Sequence, residues 1–236
     1  MSNKYYNIQI SWDEKLLKNR AVPQSVKITS KEFDIYMRAN EFQGDWNAYS
    51  KRQTWLFDNI PEPIYGKLDY KGPIDYMWPY FVRNSMIACV SEKVKTIFER
   101  LNVSKEEYIL KRVFIKGYED TPFYLLFVPL RPANDIIFPA CTIVERGVAG
   151  SFDVRPVSVQ INNYDDLCKA RDREMIETSV RELVVKKDYY GMDVFQFQGQ
   201  MAVFCSERLA NAFREENVVG AEISEGDWFH SALAFQ

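Results

Sequence analysis

Ser91-Glu-Lys-Val-Lys-Thr-Ile-Phe-Glu-Arg-Leu-Asn-Val103 and Ser206-Glu-Arg-Leu-Ala-Asn-Ala-Phe-Arg-Glu-Glu-Asn-Val218 share Ser, Glu, Phe, Asn and Val at five of thirteen aligned positions. Before each stretch an apolar run enters, Ser can cap exposed helix N–H groups, and Glu in the first turn offsets the positive end of the helix dipole. Val94, Ile97, Phe98 and Leu101 form an i, i+3, i+4, i+7 stripe, and Leu209, Ala212 and Phe213 a shorter one. Asn102 and Asn217 suit a left-handed C-terminal turn. The reading is two strand-to-helix units of similar sequence, through duplication or through the same capping solution reached twice.

Outward from these units, Tyr6, Ile8, Ile10 and Trp12 alternate with Asn7, Gln9 and Ser11, the period of a strand with one buried face. Val26 to Thr29 reads as a short strand before a helix begun by Ser30 and carrying Phe33, Tyr36 and Met37. Apolar runs at Met86 to Val90, Tyr108 to Ile115, Phe123 to Leu130 and Ile136 to Val144 suit strands of a covered sheet, with Gly117 to Pro122 as a hairpin turn. Further strands are expected at Val157 to Ile161, Leu183 to Lys186, Val194 to Phe197, Met201 to Cys205 and Val218 to Ile223, and a helix from about Tyr164 to Ile176. Between Phe42 and Phe81, aromatic residues alternate with Gly and Pro, which reads as an irregular, aromatic-packed connection. The expected class is α+β, a mixed and mainly antiparallel sheet with a few helices. Residues 1–82 would form an N-terminal, β-containing, aromatic-rich region and 83–236 an α+β domain, unless the two are one continuous domain.

The chain has 236 residues, 47% of them hydrophobic and 27% charged, the composition of a folded protein. Thirty Lys plus Arg against 33 Asp plus Glu give a net charge of -3, which argues against a general nucleic-acid binder. The alternating start leaves no room for a secretory leader, and the longest apolar runs fall short of the roughly 18 to 20 residues of a membrane span. Cys89, Cys141, Cys168 and Cys205 are widely spaced, as expected of reduced thiols in a cytoplasmic protein.

Chemistry-bearing motifs are sparse. The single histidine, His230, excludes multi-histidine metal sites. Gly147-Val-Ala-Gly-Ser151 lacks the lysine of a phosphate-binding loop and reads as a turn. Asp45, Asp58, Glu62, Asp69 and Asp75, beside Trp46, Trp55 and Trp78, leave a carbohydrate-binding or carboxylate-dependent reading open, with packing of a long connection as the plainer account. No catalytic residue, cofactor or metal is assigned. Charge is uneven: residues 215–236 hold Glu215, Glu216, Glu222, Glu225 and Asp227 without Lys or Arg. Glu222, Glu225, Asp227, Trp228 and Phe229 are therefore the candidate partner-binding residues, charges steering a basic partner and rings anchoring it.

Taken in order, Val90-Ser-Glu-Lys-Val-Lys, Phe123-Tyr-Leu-Leu-Phe-Val, Asp193-Val-Phe-Gln-Phe, Val203-Phe-Cys-Ser-Glu-Arg-Leu-Ala-Asn-Ala-Phe and Asn217-Val-Val-Gly220 resemble immunity proteins of bacterial polymorphic toxin systems. More closely, the pattern is similar to the group once known only as a domain of unknown function and typified by a myxobacterial immunity domain. The likeness covers Met86 to Glu225; Asp135-Ile-Ile-Phe-Pro-Ala-Cys141 departs from it, and Phe42 to Phe81 has no counterpart in it. The resemblance implies a non-catalytic cytoplasmic protein that binds and neutralises a cognate toxin domain, without nucleic acid or membrane as partner. Another interaction or scaffold role is the alternative.

Overall fold

The computed structural model describes residues 4–13, 17, 24–40, 46–69, 72–79, 86–146, 154–156, 160–172, 177–198, 203–225 and 232–236. The chain begins with strands β1 (Tyr5–Ile10) and β2 (Ser25–Ile28), helices α1 (Lys31–Ala39) and α2 (Trp46–Asp58), and strands β3 (Ile64–Leu68), β4 (Tyr76–Pro79) and β5 (Met86–Ser91). β5 runs straight into α3 (Glu92–Arg100), followed by β6 (Ile109–Ile115), β7 (Phe123–Phe127) and the short β8 (Leu130–Arg131). Next come β9 (Thr142–Arg146), β10 (Val154–Pro156), α4 (Tyr164–Asp172) and β11 (Glu177–Val185). The chain continues through β12 (Val194–Phe197), β13 (Val203–Ser206), α5 (Glu207–Glu215), β14 (Ala221–Ser224) and β15 (Ala232–Phe235). The fold is α+β, with most strand pairs antiparallel and β2–β4, β3–β6, β8–β12 and β11–β15 parallel.

The two sequence units adopt the same geometry. β5 and β13 each pass directly into a helix with Ser91 or Ser206 at the N-cap, and Asn102 and Asn217 take positive φ of 51° and 48°. Beyond each Asn, Val103 N–H donates to Phe98 O and Val218 N–H to Phe213 O, both at 3.0 Å, closing the left-handed cap. The likeness extends to a residue the sequence comparison did not reach. Asp75 and Asp193, immediately before β4 and β12, accept the serine hydroxyls at 2.9 and 2.6 Å, and their carbonyls accept the serine N–H groups at 2.9 and 2.8 Å. Lys93 and Arg208, each two residues past its serine, pair with the same carboxylates. Ser91 thus holds the N-cap position without capping by its side chain, whereas Ser206 also accepts Leu209 N–H at 3.3 Å.

Strand registers repeat as well. Tyr76 lies opposite Val90 and Val194 opposite Cys205; Ser25 opposite Trp78 and Leu130 opposite Gln196; Phe123 opposite Ser91 and Tyr5 opposite Ser206. The five neighbours β2-β4-β5-β7-β6 therefore correspond to β8-β12-β13-β1-β14. In chain order, β1 to β6 and β7 to β14 are two tandem halves whose first strands are exchanged: β7 lies between β5 and β6, and β1 between β13 and β14. The halves differ in their insertions. In the first, β3 pairs with both β2 and β6 and closes a six-stranded barrel; in the second, β9, β10 and β11 join β15 in a separate four-stranded sheet.

Three apolar clusters follow from this arrangement. Val26, Ile64, Met77, Val113 and Leu125 belong to the first, which Phe33 of α1 and Phe57 of α2 join, Phe57 stacking on Phe127 at 4.5 Å. The second lies where the halves meet, with α3 and α5 sharing an edge-on contact between the equivalent Phe98 and Phe213 at 6.3 Å. In the third, Tyr5, Phe195 and Phe204 from the five-stranded sheet pack with Leu183 and Val185 of β11 and Leu167 of α4.

The halves also lock each other's aspartates. Val219, after α5, donates its N–H to Asp75 Oδ2 at 3.0 Å and accepts Tyr76 N–H at 3.0 Å. Glu107, after α3, accepts the N–H groups of Asp193 and Val194 on one oxygen, at 2.7 and 2.9 Å. Gly220, at φ +95°, approaches so closely that a Cβ there would lie 2.2 Å from Tyr76 O.

Two expectations are corrected. Residues 42–81 are not an irregular connection: α2, β3 and β4 lie within them, and Tyr49, Gln53, Leu56 and Phe57 form the buried helical stripe that Gln53 and the surrounding Gly and Pro obscured. Ile136 to Val144 is not one strand; two 3₁₀ turns at 133–135 and 138–140 precede β9, because Pro139 has no N–H to give a ladder. The boundary expected near residue 82 falls within the barrel, which draws β2, β3 and β4 from one side of it and β5, β6 and β7 from the other. The expected helix to Ile176 is described as far as Asp172, and residues 157–159 of an expected strand, Gly147 to Gly150 and His230 lie outside the described residues.

Gly220→Ala should cost about 3 kcal/mol or more, since both the positive φ and the Tyr76 carbonyl oppose a side chain; urea unfolding will show it. Burial pushes the Glu107 carboxyl above the usual glutamate range, although the two N–H donors pull the other way. The folded chain therefore holds this proton more tightly than the unfolded chain, and stability is withdrawn as pH rises through and above that range. Glu107→Gln keeps one oxygen for both donors and cannot ionise. Its stability relative to the parent should grow as pH rises through and above the usual glutamate range, and a flat difference would contradict the burial cost.

Candidate functional site

A groove of about 700 Å³ lies between the start of β1, the end of β14 and the whole of β15. Its position follows from the strand exchange. Lys4 and Tyr5 come from the first half's strand, Glu225 from the end of β14, and Lys187 and Tyr190 from the turn after β11. That turn is tied down from below. Asp135 O accepts Lys186 N–H at 3.1 Å, while its carboxylate receives the Lys186 ammonium and, at 2.5 Å, the Tyr189 hydroxyl.

The lining is aromatic. The Tyr5 ring packs edge-on against Phe195 at 5.6 Å and tilted against Phe235 at 5.1 Å, and Tyr190 meets Phe235 edge-on at 5.4 Å. Tyr5 is buried, and its hydroxyl accepts Gly191 N–H at 2.7 Å; burial raises its pKa, so it stays a neutral phenol. Tyr190 is 47% exposed, so one ring of the set faces solvent. At the rim, the Lys4 ammonium pairs with Glu225 at 2.5 Å, and this contact raises the lysine pKa. Lys187 is exposed and forms no ion pair among the described residues.

The sequence-predicted residues separate. Glu225 lines the groove, but its charge is met by Lys4. Glu222, opposite Gln9, lines a smaller cavity of about 280 Å³ with Phe213, Arg214 and Asn217, and Glu216 pairs with Arg100 at 2.7 Å. Asp227, Trp228 and Phe229 lie outside the described residues. Tyr5, Lys187, Tyr190 and Phe235 were missed. Ala232-Leu-Ala-Phe235 carries a small-large alternation that could have indicated a strand, and nothing local brings it beside Tyr5.

Of the carboxylates of the aromatic-rich segment, Asp75 is held in the serine clasp, Glu62 lies against Lys111 at 3.5 Å and Asp69 bonds Ser25, while Asp45 lies outside the described residues. Trp78 packs edge-on against Trp12 at 5.9 Å, and Trp55 is exposed on α2. Burial pushes the Cys205 thiol up to about 12 and the Cys89 thiol higher still, so both stay protonated. Among the described residues no group of three or more His, Cys, Asp or Glu could hold a metal ion, and no helix is long and apolar enough to cross a membrane. No known protein-family model and no curated protein matches this chain.

An open groove with an aromatic floor, one exposed ring and mixed charge at its rim can receive a polypeptide segment, the rings supplying area and the ions orientation. Tyr5→Phe should leave Gly191 N–H without its acceptor and lower stability by about 1 kcal/mol, measured by urea unfolding.

Proposed function

We propose that this protein is a non-catalytic binding protein of the immunity type, which works in the cytoplasm by holding a cognate toxin domain inactive. The observation that carries the reading is the groove beside β15, where Tyr5, Tyr190 and Phe235 form an aromatic surface with one ring exposed. Aromatic side chains that are already packed lose little entropy on binding, and such positions dominate the energy of protein interfaces. The resemblance between Met86 and Glu225 supports a toxin domain as the partner, and the groove supports a role in binding a polypeptide. Glu222, Glu225, Asp227, Trp228 and Phe229 belong to this proposal as an acidic and aromatic stretch of the sequence.

The test begins with affinity capture of the tagged protein from its native cells. The captured candidate is then expressed in a host to ask whether it arrests growth and whether this chain relieves the arrest. Tyr190→Ala should weaken the complex by about 2 kcal/mol, roughly thirtyfold, and reduce protection in step. The combined Trp228→Ala, Glu222→Lys and Glu225→Lys variant measures the contribution of that stretch. Capture of no growth-arresting protein, or protection indifferent to Tyr190→Ala, would remove this reading.

A further inference from the structure

β15 ends the four-stranded sheet and is paired on one side, with β11. Its parallel register sets Leu233 opposite Leu183 and Phe235 opposite Val185, and Gln236 N–H donates to Val185 O at 3.0 Å. In a parallel ladder, alternate residues of one strand make both hydrogen bonds to the neighbour, and the residues between them point their N–H and C=O groups the other way. Gln236 is one of the bonding residues, so Ala234 and Ala232 are the others. Leu233 and Phe235 therefore direct their backbone N–H and C=O groups away from β11, where no described strand pairs with them. The groove borders all four residues of β15.

The molecule closes a comparable edge elsewhere. On β8, the outermost strand of the five-stranded sheet, the buried Gln53 amide donates to Leu130 O at 3.1 Å and accepts Leu130 N–H at 2.8 Å. No described side chain does this for β15. The Leu233 and Phe235 side chains pack into the cluster beneath the strand, and the intervening residues are alanines, so β15 itself carries no large side chain on its other face. The two outward backbone pairs are about 7 Å apart, the repeat of an extended chain and of no helix. The charges narrow the occupant further: Lys4 is neutralised by Glu225, and the Lys187 ammonium at the rim has no carboxylate partner among the described residues.

We infer that the groove takes an extended segment of a partner protein as an added strand on β15, hydrogen-bonded to Leu233 and Phe235, with a carboxylate side chain of that segment opposite Lys187. This rests on the partner-binding reading of the groove and specifies the form and charge of what enters it. Main-chain bonds supply the affinity, Tyr190 and Phe235 favour an apolar residue, and Lys187 selects for acid. Within a toxin that is basic overall, the recognised segment is thus a locally acidic strand.

The probes are synthetic octapeptides with Val or Ile alternating with Thr, carrying Asp or Glu at one end. Matched peptides carry Lys instead of the acid, or N-methyl groups on alternate amides. Each is titrated against the full chain by fluorescence anisotropy. The acidic peptides should bind at least tenfold more tightly than the Lys peptides, the N-methylated ones should lose binding, and Lys187→Glu should reverse the charge preference. Hydrogen exchange should slow at the Leu233 and Phe235 amides when an acidic peptide binds, with Ala234 unchanged. Failure of the acidic peptides to bind, equal binding of the N-methylated ones, or indifference to Lys187→Glu would overturn strand addition. A captured toxin weakened by Tyr190→Ala would leave the broader proposal standing in that case. Peptide binding without any captured toxin would remove the toxin and keep the strand.

Discussion

Each of the two exchanged strands has neighbours on both sides from the other half: β1 between β13 and β14, β7 between β5 and β6. Removing either would open two ladders at once and expose side chains on both faces. Tyr6 and Ile8 face the cluster shared by the halves while Tyr5 faces the cluster beneath the groove; Leu126 and Leu125 divide in the same way. The helices that follow β5 and β13 are fixed to the same exchange, since Glu92 N–H donates to Pro122 O and Glu207 N–H to Lys4 O, the residues that lead into β7 and β1. Neither half is a complete sheet by itself, so folding must bring the first residues of the chain to a hairpin almost 200 positions away. Contacts of such sequence separation cost loop entropy before they give any return.

The aspartate clasps bring this exchange to a defined register. Asp75 and Asp193 each bind a serine hydroxyl and a cation two residues further on, and each is in turn held from the opposite half, by Val219 N–H in one case and through Glu107 in the other. Buried carboxylates are costly unless hydrogen-bonded, so a register shift would leave charge without partners. The glycine at 220 belongs to the same junction, because a side chain there could not share space with the Tyr76 carbonyl. The groove inherits its shape from these constraints. Tyr5 is part of an exchanged strand, Glu225 follows the strand beside it, and Phe235 arrives on the last strand of a different sheet.

Much of the secondary structure was legible because its causes are local. The stripe Val94, Ile97, Phe98 and Leu101 and the asparagines at 102 and 217 each contain their own reason; the alternation from Tyr6 marked a strand, but Tyr5 and Asn7 bury its other face too, and Trp12 lies past its end and is exposed. Helix α2 was not legible, because its buried stripe includes Gln53, whose amide is there to bond the edge of β8 from 77 residues away. Ser30 was placed correctly at the start of α1, yet its hydroxyl accepts Tyr65 N–H at 2.6 Å instead of capping the helix. The acidic stretch was visible as composition, but composition does not show that Glu225 meets Lys4 or that Glu222 lines another cavity.

By itself, then, the sequence determined the α+β class, most of the strands, and the two similar strand-to-helix units, since periodicity, capping and dipole effects act within a few residues. Tertiary structure alone decided that β1 and β7 trade places, that β3 closes one half into a barrel while no described strand closes the other, and that β15 lies beside Tyr5 with one edge unpaired among the described residues. Strand partners are chosen by long-range burial and hydrogen-bond satisfaction, which depend on what the rest of the chain leaves unpaired, and no window of residues contains that information.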